Sequence, residues 1–554
     1  SVTTGHDNVA IGFNALTANT TGYGNISIGV ESLFSNTEGK FNTVIGTESL
    51  RSNTSGVNNT AIGAFSLYSN TTGSYNMANG NQALYSNITG NHNIATGQYS
   101  LHYNTAGSKN IANGIYSLFE NTDGNSNIAL GRNALRNNTT GSYNFASGED
   151  ALFSNTTANN NVAIGSSALK LNTTGYSNVA IGSESLNSST TGYENIAIGL
   201  QALYSNTTGR GNNAIGFGAL YSNTTGDDNI ALGTHALGVN TTGIDNIAVG
   251  RAALLNNTTG QDNVAIGMKS MRMNTEGRNS IAIGRYSLHD NTTGNYNIAL
   301  GTYSLFANST GLSNVAAGAN ALRANTTGNY NVAIGSSTLL SNTTGFSNIA
   351  TGFEALSSNT TGHDNIASGT YALHSNTTGR KNIAAGEYSL YENIEGDNNI
   401  AFGPKVLYSN ITGTDNIASG FHALYSNTVG SNNVTAGNNS LFSNTTGSSN
   451  IAYGLGSLYS NTTGSYNIAI GHEANVGSGT LNNATAIGYA AVVSASNTIQ
   501  LGNSSVTSIN SSGTFTTASD RRLKKDIVDT RYGLNTILEL RPVDYQMKSN
   551  NLEQ

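Results

Sequence analysis

Glycine falls at positions 12, 29, 46, 63, 80, 97 and 114 and then at every seventeenth residue to Gly471, so 28 copies of one unit follow each other in unbroken register. A period held this long marks a repeat architecture and separates the chain from low-complexity disorder, whose tracts drift. A representative unit reads Asn195-Ile196-Ala197-Ile198-Gly199-Leu200-Gln201-Ala202-Leu203-Tyr204-Ser205-Asn206-Thr207-Thr208-Gly209, followed by two variable residues. Counting Asn195 as position 1 gives every residue of the shaft a place in the unit.

A unit of this length cannot hold two helices and a turn, and it lacks the helix formers Glu, Lys and Arg. It offers two strand-like runs, N-I-A-I and A-L-Y-S, separated by Gly and by an N-T-T-G turn. Two strands and two turns describe one coil of a parallel β-solenoid, so the predicted fold class is all-β, a β-roll of seventeen-residue coils. Coils stacked at the strand spacing of roughly 4.8 Å would make a shaft of about 130 Å.

Each position has a physical job. Ile or Val at position 2 (Val9, Ile26, Ile94, Ile196, Ile468) and Leu at position 9 (Leu16, Leu33, Leu203, Leu458) are expected to point inward. Ala at position 3 (Ala10, Ala61, Ala197, Ala469) implies close packing there. Gly at positions 5 and 15 suits positive φ or close backbone approach, with Ala158 the exception in the second series. Asn at positions 1 and 12 is expected to stack into amide ladders, each side chain bonding to the coils on either side. Two large apolar groups per coil make a thin interior against the entropy of ordering the whole coil. Lateral association, covering an Ala-lined face and the variable position 4, is therefore expected.

Composition removes several classes of function. There is no Cys, hence no disulfide and no Cys-ligated metal. The 9 His are scattered without ligand spacing, and no metal or other cofactor is expected. A formal net charge of −7, spread thinly, argues against nucleic acid as partner. No apolar run approaches the roughly 20 residues that span a bilayer, so no membrane insertion is expected. The chain opens on SVTTGHDN without Met or signal peptide, and its natural start is expected upstream.

The core Asn8-Val9-Ala10-Ile11-Gly12 resembles the head repeats of trimeric autotransporter adhesins. That resemblance implies a parallel β-roll assembled as a homotrimer. Beyond Gly471, the stretch NATAIGYAAVVSASNTIQLGN brings the Gly spacing down to 14, between Gly488 and Gly502. Fourteen is the length usual in that family; the seventeen-residue repeat of the main shaft departs from it.

Residues 519–554 differ sharply, carrying 13 of the chain's 53 charged side chains in 36 residues. Ser519-Asp520, Arg522-Leu523-Lys524, Ile527, Gly533-Leu534, Ile537, Leu540-Arg541-Pro542-Val543 and Tyr545 resemble the start of the peptidase S74, or endosialidase-tail, intramolecular chaperone. The organisation is thus a shaft at 1–474, a transition at 475–518 and a truncated chaperone domain, a small α/β start, at 519–554. The resemblance implies trimerisation of a fibre followed by self-cleavage of the Ala518–Ser519 bond. Ser519 would attack the Ala518 carbonyl and Lys524 would accept its proton, which requires burial to lower the lysine pKa. The plain structural reading of the same residues is a solvated helix start.

Three surface features compete for function. Position 10 is often aromatic (Phe34, Tyr68, Tyr85, Phe119, Tyr204, Tyr221, Tyr391, Tyr408, Tyr425, Phe442, Tyr459), which suits either stacking on sugars or packing between coils. N-x-T sequons such as Asn19-Thr20-Thr21 suit turn chemistry better than glycosylation. Consecutive Thr pairs in a turn do not share one flat face, which argues against ice binding. The sequence predicts a structural and adhesive fibre shaft, on a virion tail or at a cell surface, with a homotrimer and a cell-surface glycan or receptor as partners. A cell-anchored bacterial adhesin and the shaft of a glycan-depolymerising tailspike are the alternatives; the second needs paired carboxylates, which the shaft does not offer. The only enzymatic activity expected is autoproteolysis.

Overall fold

The computed structural model describes residues 3–510 and 512. The chain divides into two units, Ser1–Asn503 and Ser504–Gln554. The first is an all-β parallel solenoid without a helix among the described residues. Each seventeen-residue coil contributes one three-residue strand, from β1 (Val9–Ile11) to β28 (Ile468–Ile470). Strands pair in parallel with a register of 17 residues, as Ile196 with Asn213 and Ala197 with Ala214. Four short strands follow: β29 (Asn475–Val476), β30 (Thr485–Ile487), β31 (Val492–Val493) and β32 (Ile499–Leu501). β28 to β30 keeps the longer step, Ile468 opposite Thr485, whereas β30 to β32 takes the shorter one, Thr485 opposite Ile499.

Two strands per coil are predicted; one forms. The A-L-Y-S run is a series of turns in which Gln201 and Leu203 both hold φ of 54°. Its backbone still bonds coil to coil, Leu203 N to Ala219 O at 2.8 Å and Ser205 N to Tyr221 O at 3.0 Å. Positions 7, 9 and 17 take left-handed φ along the shaft, and each such residue bends the chain too sharply for a strand. β-branched side chains tolerate this region worst. Val, Ile and Thr are absent from all three positions in every coil. From Leu16 to Leu458 position 9 is therefore Leu, with Met271 once, because it must be large, apolar and unbranched at Cβ.

The interior is narrower than expected. Ala197, Ala202 and Leu203, at positions 3, 8 and 9, are completely buried. Position 2, expected inward, faces out: Ile196 is 37 % and Val9 47 % exposed. The reason is strand alternation, because an inward position 3 forces positions 2 and 4 to the opposite face. Position 8 lies directly across from the Ala, so larger groups are rare there; Val44 and Thr435 are buried exceptions. Where position 3 is Ser27, its Oγ sits 2.6 Å from Ser32 Oγ, and Thr435 bonds Ser440 in the same way. The Ala column is thus core, not a face for lateral association.

The amide ladders form as predicted. Asn195 Nδ2 donates to Gly209 O at 2.9 Å, while its Oδ1 accepts from Asn212 N at 3.0 Å and Asn212 Nδ2 at 3.2 Å. At position 12, Asn206 Nδ2 donates to the same Gly209 O at 2.9 Å and Asn223 Nδ2 donates to Asn206 Oδ1 at 2.9 Å. Two amides converge on one carbonyl in nearly every coil, and a Cβ on Gly209 would collide with Asn206 Oδ1 and the next coil's carbonyl. Ala158 nevertheless keeps both bonds, from Asn144 at 2.8 Å and Asn155 at 3.2 Å. At position 5 the need is conformational as well: Gly199 holds φ of 134°, and a Cβ there would lie 2.6 Å from Gly216 O.

The T-T-G turn is a nest of donors. Thr343 N, Thr344 N and Gly345 N point to Thr360 O at 2.9, 3.3 and 3.3 Å, and Thr343 Oγ1 adds a fourth donor at 3.1 Å. Backbone and side chain together satisfy a carbonyl that a bare turn would leave to solvent.

Candidate functional site: the outer faces of the shaft

With Ala, Leu and Asn turned inward, any function of the shaft rests on what remains outside. Positions 2 and 4 form the outer face of the sheet. On it lie Ile281 and Ile283 at 37 % and 42 % exposure, and Ile11 at 58 %. Stacked strands turn these residues into two apolar columns along the shaft, an arrangement a soluble monomer rarely leaves open. Position 4 is interrupted by small or polar groups, as at Asn79, Thr96 and Asn113.

Around the Gly corner lie positions 6, 7 and 10. Tyr391, Tyr408, Tyr425, Phe442 and Tyr459 stack at centroid distances of 5.1, 5.1, 5.3 and 5.2 Å, with planes within 16° of parallel. Each inner ring has both faces against another ring, so the surface a sugar would stack on is consumed. The column packs coil on coil. Where rings are absent, charges take their place. Arg51 at position 10 reaches Glu31 at 2.9 Å and Glu48 at 3.5 Å, and Lys170 reaches Asp150 at 3.0 Å. Burial raises the Asp150 carboxyl, but bonds from Asn133 and Lys170 outweigh it and hold the group below its ordinary pKa.

On the opposite corner, position 17 carries Asp228, Asp245 and Asp262 in succession. Burial first, and then the neighbouring Asp228 and Asp262 charges, raise the Asp245 carboxyl above its ordinary pKa. From Asn36 to Asn461 the sequon asparagines at position 12, Asn206 among them, are buried and bonded. A folded shaft presents no acceptor nitrogen there.

Ser519, Lys524 and the Ala518–Ser519 bond lie outside the described residues. Missed in the sequence were the outward turn of position 2 and the left-handed positions. The signal for the second was present: the complete avoidance of Val, Ile and Thr at three fixed places in the repeat.

Fold and surface together define a parallel β-solenoid shaft. Residues 519–553 match the family described as chaperone of endosialidase, peptidase S74. The chain therefore carries a region of that chaperone family at residues 519–553, after the solenoid in sequence. No curated protein matches the chain.

Proposed function

We propose that the chain is the shaft of a homotrimeric fibre, a structural and adhesive element of a virion tail or cell surface, gathered and matured by its C-terminal chaperone segment. The observation that carries this reading is the pair of apolar columns at positions 2 and 4. Covering a half-exposed Ile contributes about 1 kcal/mol. Repeated coil after coil, that sum exceeds the cost of bringing chains together. Parallel chains in register place identical columns against each other, which suits a closed, symmetric assembly. The chaperone match supports the same reading, because a repeat able to pair in any of many registers needs a device that sets the ends level.

The experiment is to place charge on this face. Ile281→Lys together with Ile283→Lys should leave the far-ultraviolet spectrum unchanged, since both side chains already face outward, and should weaken the assembly, which then dissociates at lower denaturant than the parent. An assembly as resistant to dissociation as the parent would remove the face from the interface.

A further inference from the structure

Cations on the corner formed by positions 6, 7 and 10 are generally neutralised or laid over rings. Arg51 and Lys170 sit in ion pairs, Arg132 pairs with Glu149, and Arg136 lies 5.0 Å from the Tyr116 ring centroid. The coils between Asn229 and Tyr330 differ in lacking acids for their cations: Lys269 and Arg285 lie over the Tyr286 ring and Arg323 over Tyr303, but none of these cations is in an ion pair. Their corner carries Arg251, Lys269, Arg272, Arg285 and Arg323. Among positions 6, 7, 10 and 11 of these coils the one carboxylate is Asp290, bonded to its neighbour His289 at 2.6 Å.

The cations converge. Arg251, Lys269 and Arg272, with His235, Thr234 and Leu255, line one open cleft of about 420 Å³. One coil further, Arg285 Cζ lies 5.1 Å and Lys269 Nζ 5.4 Å from the centroid of the Tyr286 ring. Bonds from Arg285 and then Lys269 lower the pKa of the Tyr286 phenol, a sign of positive potential at this spot. Of the other acids of the same stretch, Asp245 and Asp262 stand in the position 17 column and Glu276 at position 14, and none of them is in an ion pair with these cations. Like charges held together without counter-charge are unfavourable.

Ligand chemistry follows from sign, spacing and surroundings. Cations on three successive coils span about 10 Å along the shaft at the strand spacing. Arg offers paired N–H donors that match carboxylate, sulfate and phosphate oxygens. Beside them, Tyr286 and Tyr303 stack at 5.3 Å and Phe306 packs against both, giving an apolar rim for C–H faces. A long polyanion such as nucleic acid would run past the patch into a shaft whose net charge is negative. A short acidic saccharide would not.

We propose that the cleft of Arg251, Lys269 and Arg272, extended by Arg285, binds the acid groups of an anionic oligosaccharide. The cleft lies round the Gly corner from positions 2 and 4, off the face assigned to the interface. It deepens the adhesive part of the fibre reading, but its charges are present in a single chain.

The test is calorimetric titration of the full chain with hexagalacturonate, a heparin hexasaccharide and a phosphorylated oligomannose, which separate the three acid groups. Maltohexaose serves as neutral control and a thymidine oligonucleotide as the competing polyanion. At least one acidic saccharide should bind, more weakly as salt rises from about 50 to about 200 mM. Arg251→Gln with Lys269→Gln and Arg272→Gln should lose about tenfold or more in affinity. The single variant Arg272→Gln should show a smaller loss in the same direction, whereas Arg51→Gln should bind as the parent does. The proposal is overturned if no acidic saccharide binds better than maltohexaose, if the triple variant binds equally, or if the oligonucleotide binds most tightly. Sedimentation of the same samples keeps the two readings apart: an assembled fibre that ignores acidic sugars removes only the ligand, and a binding monomer removes only the fibre.

Discussion

Ser189 Oγ and Asn172 Oδ1 face each other along the position 12 ladder, both buried and both without a hydrogen-bond partner. Every other coil of that ladder between Asn19 and Asn461 has an Asn there. Serine is too short to reach the amide oxygen one coil away. Ser189→Asn would donate to Asn172 Oδ1 and Gly192 O and accept from Asn206 Nδ2. Restoring these bonds should stabilise the shaft by about 1–3 kcal/mol, seen as a higher denaturation midpoint. An unchanged midpoint would mean that the ladder contributes little.

Leu203 is buried at a φ of 54°. Leu203→Met should cost less than about 1.5 kcal/mol, as Met271 occupies the equivalent place. Leu203→Ile conserves volume and hydrophobicity but sets a β-branched group in the left-handed region, and should cost at least 1–2 kcal/mol more. Chemical denaturation of the two variants separates backbone strain from burial. Equal losses would show that branching is irrelevant there.

Asp245 gives a pH dependence of definite sign. Its pKa is raised in the folded chain, by burial and by the Asp228 and Asp262 charges. The folded state therefore holds the proton more tightly than the unfolded one. Stability from this group is present below the ordinary carboxylate range and is lost as pH rises through the raised pKa. Asp245→Asn removes the repulsion and tolerates the left-handed backbone. It should raise the melting temperature at neutral pH and leave it nearly unchanged at low pH. A lower melting temperature at neutral pH would reverse the assigned sign.

Self-cleavage is the expected outcome at the chaperone end. Intact-mass spectrometry of the expressed protein should find a new N-terminus at Ser519, abolished by either Ser519→Ala or Lys524→Ala. The lysine variant tests the dyad, because loss of a positive charge alone should not stop the cut: Arg521→Ala should cleave normally. An uncut parent chain would remove the autoproteolytic role.

Much of the fold was legible because a repeat averages over accident. Register, both Asn ladders, the buried Leu and the need for Gly199 and Gly209 all follow from residue type at fixed spacing. The facing of Ile196 did not. A large apolar residue beside a small one reads naturally as core beside lining, and only the three-residue strand with Ala197 inward reverses the assignment. Nor was the second strand excluded by A-L-Y-S, whose apolar content suits a strand; the left-handed φ at Leu203 decides against it. The surface was least legible, because the cation cluster is scattered among Arg251, Lys269, Arg272 and Arg285 in sequence and is gathered only by stacking.

The central claim is that the outward Ile and Val columns are an interface between chains. Equilibrium sedimentation of the purified protein at micromolar concentration measures this most directly. The account predicts a single species of three times the chain mass, which Ile281→Lys with Ile283→Lys makes easier to dissociate. A cooperatively folded parent protein sedimenting at one chain mass would contradict it.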